Sequence, residues 1–325
     1  MSPFVPHPLL RGPHAQTLGA KFLRSETGIH FRRETWDTPD GDILEVDFAD
    51  VPGRTWAQLG DRAPVGVLLH GLEGCARTGY AHATYRAFAA RGIRPVGMNY
   101  RSCGGAMPRA QRMYHAGETS DPRYVIERLA DRFDVPLVAI GFSLGANILL
   151  KLQGEWGAES PLAAAAVVSP PFDLAAGVAR IERGFSKVYS RYLTRRLKGK
   201  LRLRLEEFAE LDLDAAAGLA GSTLRDFDEH VTAPMHGFED AADYYARCSS
   251  GSFVGAIRTP TLVIRSLDDP FLAEDVPRAA LAANPATELL LSAHGGHVAF
   301  LARGRRGGVR SWAEDTAGAW LAERV

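Results

Sequence analysis

Cysteine is scarce in this chain: Cys75, Cys103 and Cys248 are scattered and odd in number. That excludes a disulfide framework and points to free thiols in a reducing compartment. Neither sign of charge predominates, because Lys plus Arg and Asp plus Glu both number 38. With no global field to attract it, nucleic acid is not expected as a partner. Uncharged runs long enough to span a bilayer are missing, so no stable membrane insertion is expected. The opening MSPFVPHPLLRGPHAQ is interrupted by four prolines and lacks the apolar core of a signal peptide. A cytoplasmic location is the resulting expectation. At 46% hydrophobic and 23% charged residues over 325 positions, the chain has ample material for a globular core.

What is present centres on Val135–Lys151, VPLVAIGFSLGANILLK, where an apolar run breaks at Gly141-Phe142-Ser143-Leu144-Gly145 and resumes at helical spacing. Gly-x-Ser-x-Gly alone also occurs in glycine-rich loops that do no chemistry. Here a strand precedes it and a helix follows, which is the context a nucleophile turn requires. The two glycines remove side chains that would collide as strand and helix cross. The first amides of the new helix face the same spot and favour negative charge developing on a substrate oxygen. Ser143 is therefore the candidate nucleophile.

The rest of the chain supplies a scaffold for that turn. Residues 1–30 carry no clear period and read as an arm over the surface. RRETWDTP and DILEVDFAD alternate about Pro39-Asp40-Gly41 as an antiparallel hairpin. Continuous apolar runs at Val65–Leu69, Arg94–Asn99, Pro136–Ile140 and Ala163–Val168 alternate with helical patterns at Tyr80–Ala90, Pro122–Arg132 and Leu144–Gln153. Short links between such units imply right-handed crossovers in a parallel sheet. From about residue 172 to 255 the text turns charged, Leu-rich and strandless, and Pro260–Ser266 then resumes the sheet. One domain with an inserted helical cap accounts for this, since the sheet needs the segments on both sides. A helix over Val276–Ala283, a strand over Glu288–Leu291 and a closing helix from Val309 to Arg324 complete the expected α/β architecture.

A serine hydroxyl needs a base within hydrogen-bond reach, and the base needs an orienting carboxylate. Ser266-Leu267-Asp268-Asp269-Pro270 and Ala293-His294-Gly295-Gly296-His297 each follow a predicted strand. The chain order Ser, Asp, His is that of an α/β-hydrolase. His297 is preferred to His294, because two glycines before it make a turn and Val298-Ala299-Phe300-Leu301 anchors it. Of the adjacent aspartates, counting from Ser266 favours Asp269, leaving Asp268 to the turn. The amides of Leu72, in His70-Gly71-Leu72-Glu73-Gly74, and of Leu144 are the candidate oxyanion donors. Phe172, Leu174, Val178, Ile181 and Phe185 form a near-helical stripe that packs the cap and offers Phe185 as an acyl-pocket residue.

Competing motifs are weaker. GLEGCART imitates a phosphate loop but has Ala76 and Arg77 where Gly and Lys are needed. His294 and His297 lack a third clustered ligand, so no metal is expected. The basic run Arg191–Arg204 is followed by Glu206, Glu207, Glu210, Asp212 and Asp214, which can neutralise it.

Taken together, PHAQT (13–17), HGLEG (70–74), NYRSCGG (99–105), YHAGETSD (114–121), GFSLGANILLK (141–151), SPPFDL (169–174), DDPF (268–271) and HGGHVAF (294–300) resemble the YheT-like branch of the α/β-hydrolases over nearly the whole chain. The resemblance implies hydrolysis of carboxylic esters, of short-chain carboxylesterase or monoacylglycerol-lipase type, on a small-molecule ester or lipid, with no cofactor. It carries the triad onto Ser143, Asp269 and His297. One departure is Arg101-Ser102-Cys103, where the family usually reads Arg-Gly-Cys. The contrasting possibility is a non-catalytic protein that kept the fold to bind a ligand. The sequence is silent on assembly.

Overall fold

The protein is described by a computed structural model covering residues 3–304 and 308–325. Residues 1 and 2, at the start of the expected arm, and 305–307 lie outside the described residues. Strands β1 (His30–Asp37) and β2 (Ile43–Asp50) form the hairpin, with Gly41 in the left-handed region at φ 80° closing its turn. Six further strands follow: β3 (Val65–Leu69), β4 (Arg94–Asn99), β5 (Leu137–Phe142), β6 (Leu162–Val168), β7 (Thr261–Ser266) and β8 (Thr287–Ser292). Their order across the sheet is β1-β2-β4-β3-β5-β6-β7-β8. β2 meets β4 antiparallel, and from β4 to β8 every pairing is parallel.

Alternation along the parallel strands divides the interior in two. Val65, Val67 and Leu69 join Leu137 and Ala139 in one buried cluster, whereas Leu68, Val138, Ile140 and Phe142 face the other. Helices α1 (Pro13–Leu23) and α2 (Trp56–Leu59) precede the crossover helices α3 (Gly79–Ala89), α4 (Ser120–Arg132) and α5 (Leu144–Trp156). Phe88 of α3 and Trp320 of the last helix, Trp312–Ala322, cover one face, and Ile126 of α4 with Ile148 of α5 covers the other.

Several boundaries depart from expectation for local reasons. α4 begins at Ser120, because Pro122 falls in the first turn, where its missing N–H is no loss. The helix expected from Val276 begins at Arg278, after Pro277. The closing helix begins at Trp312, since Val309–Ser311 pairs instead with Leu301–Arg303. α2 is a single turn too short to show a period, and a Thr55–Gln58 capping box starts it inside the connector. The opening segment is more than a surface arm, because it forms α1 and buries Gln16 and Ala20.

Between β6 and β7 the chain leaves the sheet for helices, beginning with α6 (Leu174–Ile181) and α7 (Lys187–Leu203). Ile181, Tyr189, Leu197, Leu201, Phe208, Phe227 and Val231 form a separate cluster there. Leu72 and Phe271, from loops at the carboxyl edge of the sheet, pack against it. This helical layer therefore closes over the strand ends where ligands bind in open α/β sheets.

Candidate active site

Ser143 stands between β5 and α5 with φ 53° and ψ −117°, a conformation that L-residues rarely hold. Neighbouring contacts enforce it. A Cβ at Gly145 would sit 2.5 Å from the carbonyl oxygens of both Leu69 and His70, and one at Gly141 would sit 2.8 Å from the Ala146 Cα. Neither could be accommodated without moving backbone. The Ser143 carbonyl accepts from the Ala146 and Asn147 amides at 2.9 and 3.0 Å, and its own N–H donates to Val168 O at 2.9 Å.

The Ser143 hydroxyl lies 2.7 Å from His297 Nε2. The other ring nitrogen, Nδ1, is 3.1 and 3.0 Å from the two carboxylate oxygens of Asp269. A Nδ1–H donated to this carboxylate leaves the Nε2 lone pair facing the serine. Asp269 is buried and also accepts the Phe271 amide at 2.8 Å, with Arg265 at 3.3 Å. Burial acts to raise its pKa, but the charge and hydrogen bond of His297, Arg265 and the Phe271 amide together hold it below the ordinary carboxylate value. Asp268 faces the other histidine, its carboxylate 3.5 Å from His294 Nδ1. Its pKa is raised, chiefly by burial. The adjacent aspartates thus serve different histidines, and only Asp269 reaches the one beside Ser143.

Leu72 and Leu144 both line the cavity that opens over Ser143. A Cβ at Gly71 would lie 3.3 Å from the Ser143 Cβ, so the His70–Gly74 loop runs directly beside the serine. The Gly71 amide donates to Tyr80 Oη at 2.9 Å, whereas the amides of Leu72 and Leu144 have no partner among the described residues. His70 beneath this loop is fully buried, facing Gly71 O through Nδ1 at 2.8 Å and accepting the Tyr100 amide at Nε2 at 3.2 Å. Accepting at Nε2 requires the neutral ring with its proton on Nδ1, and burial lowers its pKa to about 4.

Glu73 binds this loop to the helical layer. At φ 55° it turns the backbone back, while its buried carboxylate accepts from Tyr114 Oη at 2.8 Å and from Lys200 Nζ of α7 at 2.8 Å, with Arg196 Nε at 3.3 Å. The basic run is thus neutralised in part by an acid 123 residues earlier in the chain. Of the acids that follow it, Glu207 pairs with Arg204 at 2.7 Å. Nearby, Ser102 occupies the left-handed region at φ 66°, where a glycine would be unstrained.

The cavity, about 240 Å³, is mainly apolar. Leu174, Val178 and Ile181 of α6 line it together with Leu193, Leu197 and Phe227. Phe185 does not. α6 ends at Ile181, and an extended Arg183 followed by Gly184 at φ 55° redirects the chain, so Phe185 turns outward, 54% exposed, with its ring edge-on to His14. The position beside the His297 ring belongs to Phe271, stacked on it at 4.0 Å between centroids.

Residues unassigned from sequence hold the His297 loop. Thr17 Oγ1 accepts the His297 amide at 2.9 Å, Gln16 Oε1 accepts the Leu301 amide at 2.7 Å, and Arg24 donates to Val298 O at 2.8 Å. Val298, at φ 48°, donates its amide to the buried Ser169 hydroxyl at 3.2 Å. The available signal is the polar His14, Gln16 and Thr17 within PHAQT, in a segment with no other period.

This geometry stands in a recognisable lineage. The pattern of the α/β hydrolase fold family matches residues 67–303, and the chain belongs to that family. Within it, the chain is 34% identical over 324 residues to YheT of Escherichia coli, a protein whose name marks it as a candidate esterase, covering 98% of this chain and 92% of that one. A monoacylglycerol lipase of Saccharomyces cerevisiae is 30% identical over 90% of this chain and 62% of its own. Among solved structures, the Pyrococcus furiosus esterase Pf2001 superposes with a TM-score of 0.57 at 15% identity, over 100% of this chain and 98% of that one. Est1E of Butyrivibrio proteoclasticus, with ferulic acid bound, also gives 0.57, at 12% identity over 90% and 98% of the two chains. Both superpositions speak to the fold.

Proposed function

We propose that this protein hydrolyses carboxylic esters of small molecules or lipids through an acyl-enzyme intermediate. The observation that carries this reading is the array of Ser143 Oγ, His297 and Asp269 at one wall of an apolar cavity. Ser143 attacks the ester carbonyl while Nε2 of His297 takes its proton, and the Leu72 and Leu144 amides hold the oxyanion. His297 returns the proton to the leaving alcohol, then activates a water that frees the acid. Asp269, kept ionised, fixes the ring and stabilises its charged form. The chemistry needs no cofactor.

The helices between β6 and β7 act in this reading as a cap within a single hydrolase domain. Their apolar lining favours an acyl group, of the kind a short-chain ester or a monoacylglycerol supplies. Three free thiols favour a reducing compartment, and the cytoplasm is our assignment. Among the described residues no helix is long and apolar enough to cross a membrane.

A fluorophosphonate probe tests the reading. The folded parent should be labelled at Ser143 and Ser143→Ala should not, with ester turnover lost in parallel. A parent that resists the probe and turns over no ester of graded chain length would instead be a ligand-binding protein on the same fold.

A further inference from the structure

Opposite charges balance over the whole chain, yet two segments that meet in space carry one sign only. Residues 3–25 contain Arg11, Lys21 and Arg24 and no acid; residues 183–205 contain nine Lys and Arg and no acid. The segments touch along α1 and α7. The His14 ring lies 4.7 Å from Phe185 and 5.8 Å from Tyr189, and Lys21 Nζ stands 5.2 Å from the Tyr192 ring. His14, Leu18 and Phe22 follow i,i+4 spacing on α1, while Val188 and Tyr192 share a row on α7, so the exposed ridges of the two helices are neighbours.

Those ridges are apolar where water would favour polar side chains. Phe22 is 78% exposed and Val188 52%, and Leu18, Phe185 and Tyr192 are exposed with them. Lys21, Lys187, Arg191 and Arg195 stand exposed around these residues. Four other cations of the two segments are paired with acids: Arg24 with Glu314, Arg196 and Lys200 with Glu73, and Arg204 with Glu207. Apolar rings and aliphatic side chains set among uncompensated cations, on two adjoining helices, match an interface of acyl chains beneath anionic headgroups. A nucleic acid would use the cations but leave Phe22 and Val188 without a role.

The same face leads to the reaction centre. The inner side of α7 lines the cavity through Leu193 and Leu197. A chain of rings runs inward from Phe185 to Tyr189, Phe271 and His297 at 6.0, 4.7 and 4.0 Å between successive centroids.

We infer that the joint α1–α7 face is a docking surface for anionic lipid bilayers, on which the protein lies peripherally with its cavity at the membrane. Binding is read without turnover, so this inference and the proposed hydrolysis fail separately. The full chain is sedimented with phosphatidylcholine vesicles, with and without phosphatidylglycerol, at low and high salt. Binding should require phosphatidylglycerol and weaken with salt. Neutralising Lys187→Gln, Arg191→Gln and Arg195→Gln together should lower the partition coefficient by about a hundredfold, from roughly fivefold for each cation. Phe22→Ser with Val188→Ser should lower it at constant charge, and circular dichroism checks that both variants fold. Failure to bind either vesicle, equal binding to both, or indifference to either set of substitutions would overturn the inference. So would duplex oligonucleotide binding without vesicle binding, or a dimer in sedimentation velocity that Phe22→Ser with Val188→Ser dissociates while vesicles are ignored.

Discussion

The two halves of the proposed reaction centre are built in opposite ways. Ser143 lies in a turn whose strand, two glycines and helix all fall within Leu137–Trp156, and the remote backbone that crowds it, at Leu69, His70 and Val168, acts through carbonyls that any residue would supply. His297 owes its position to residues scattered along the chain, with Thr17 and Arg24 near the start, Ser169 after β6 and Asp269 after β7. A locally enforced conformation is written as a short motif, whereas an assembled one is distributed among residues that look ordinary one at a time. Two residues given equal roles in the proposed mechanism therefore leave very unequal traces in a sequence.

The sharpest test is whether the halves are equal in effect. Ser143→Ala and His297→Ala should each lower kcat by about 10⁶-fold, as members of a unit whose parts fail together. A His297→Ala enzyme that kept most of its turnover of a soluble p-nitrophenyl ester would break the comparison and the mechanism with it.

The next test separates the adjacent acids. Asp269→Asn should lower kcat by about 10⁴-fold, because the amide no longer holds the required tautomer. Asp268→Asn, opposite His294, should cost less than about tenfold. Reversed losses in two folded proteins would move the orienting role to Asp268.

A smaller effect probes the assembled half directly. Thr17→Val removes the acceptor of the His297 amide at nearly constant volume, and kcat should fall by up to about a hundredfold through misplacement of the ring. Fluorescence-monitored unfolding should change little, and Thr17→Ser should restore the rate. Loss of stability without any change in kcat would make the N-terminal segment a brace for the fold alone.

The smallest expected effect concerns the loop beside Ser143. His70, with its pKa lowered to about 4, takes up a proton less readily folded than unfolded. Its contribution to stability is full above the unfolded value of about 6.5 and is lost as pH falls toward 4. Between pH 7 and 5.5 the loss is about 1 kcal/mol, readable as a shift in urea midpoint. In His70→Asn that part of the pH slope should vanish, whatever the starting stability. An unchanged slope would remove His70 as its source.

What was legible in the sequence follows the same division. The parallel strands could be read because burial on both faces makes them continuous apolar runs, and the nucleophile turn because its glycines are sterically obligatory. Asp269 could be counted out, but its preference over Asp268 became physical only with the distances to the two histidines. Phe185 continues the spacing of the stripe in sequence but not in space, because α6 ends at Ile181 and the chain turns through Arg183 and Gly184 before reaching it. The basic run was matched to the acids beside it, whereas its buried partner was Glu73, remote in sequence. Gln16 and Thr17 went unassigned because a side chain that caps another loop has no period of its own.

Glu73 also ties together parts whose motions would otherwise be independent. It follows Leu72 in the chain, and its carboxylate is shared by Lys200 and Arg196 of α7. Lifting α7 from the sheet would strand a buried carboxylate without its cations, a cost of several kcal/mol that shifting the loop along with the helix would avoid. Helix and loop are in that sense a single mechanical part: α7 cannot leave the sheet without drawing along the backbone that flanks Ser143, so on the proposed mechanism entry to the cavity and assembly of the oxyanion donors are coupled.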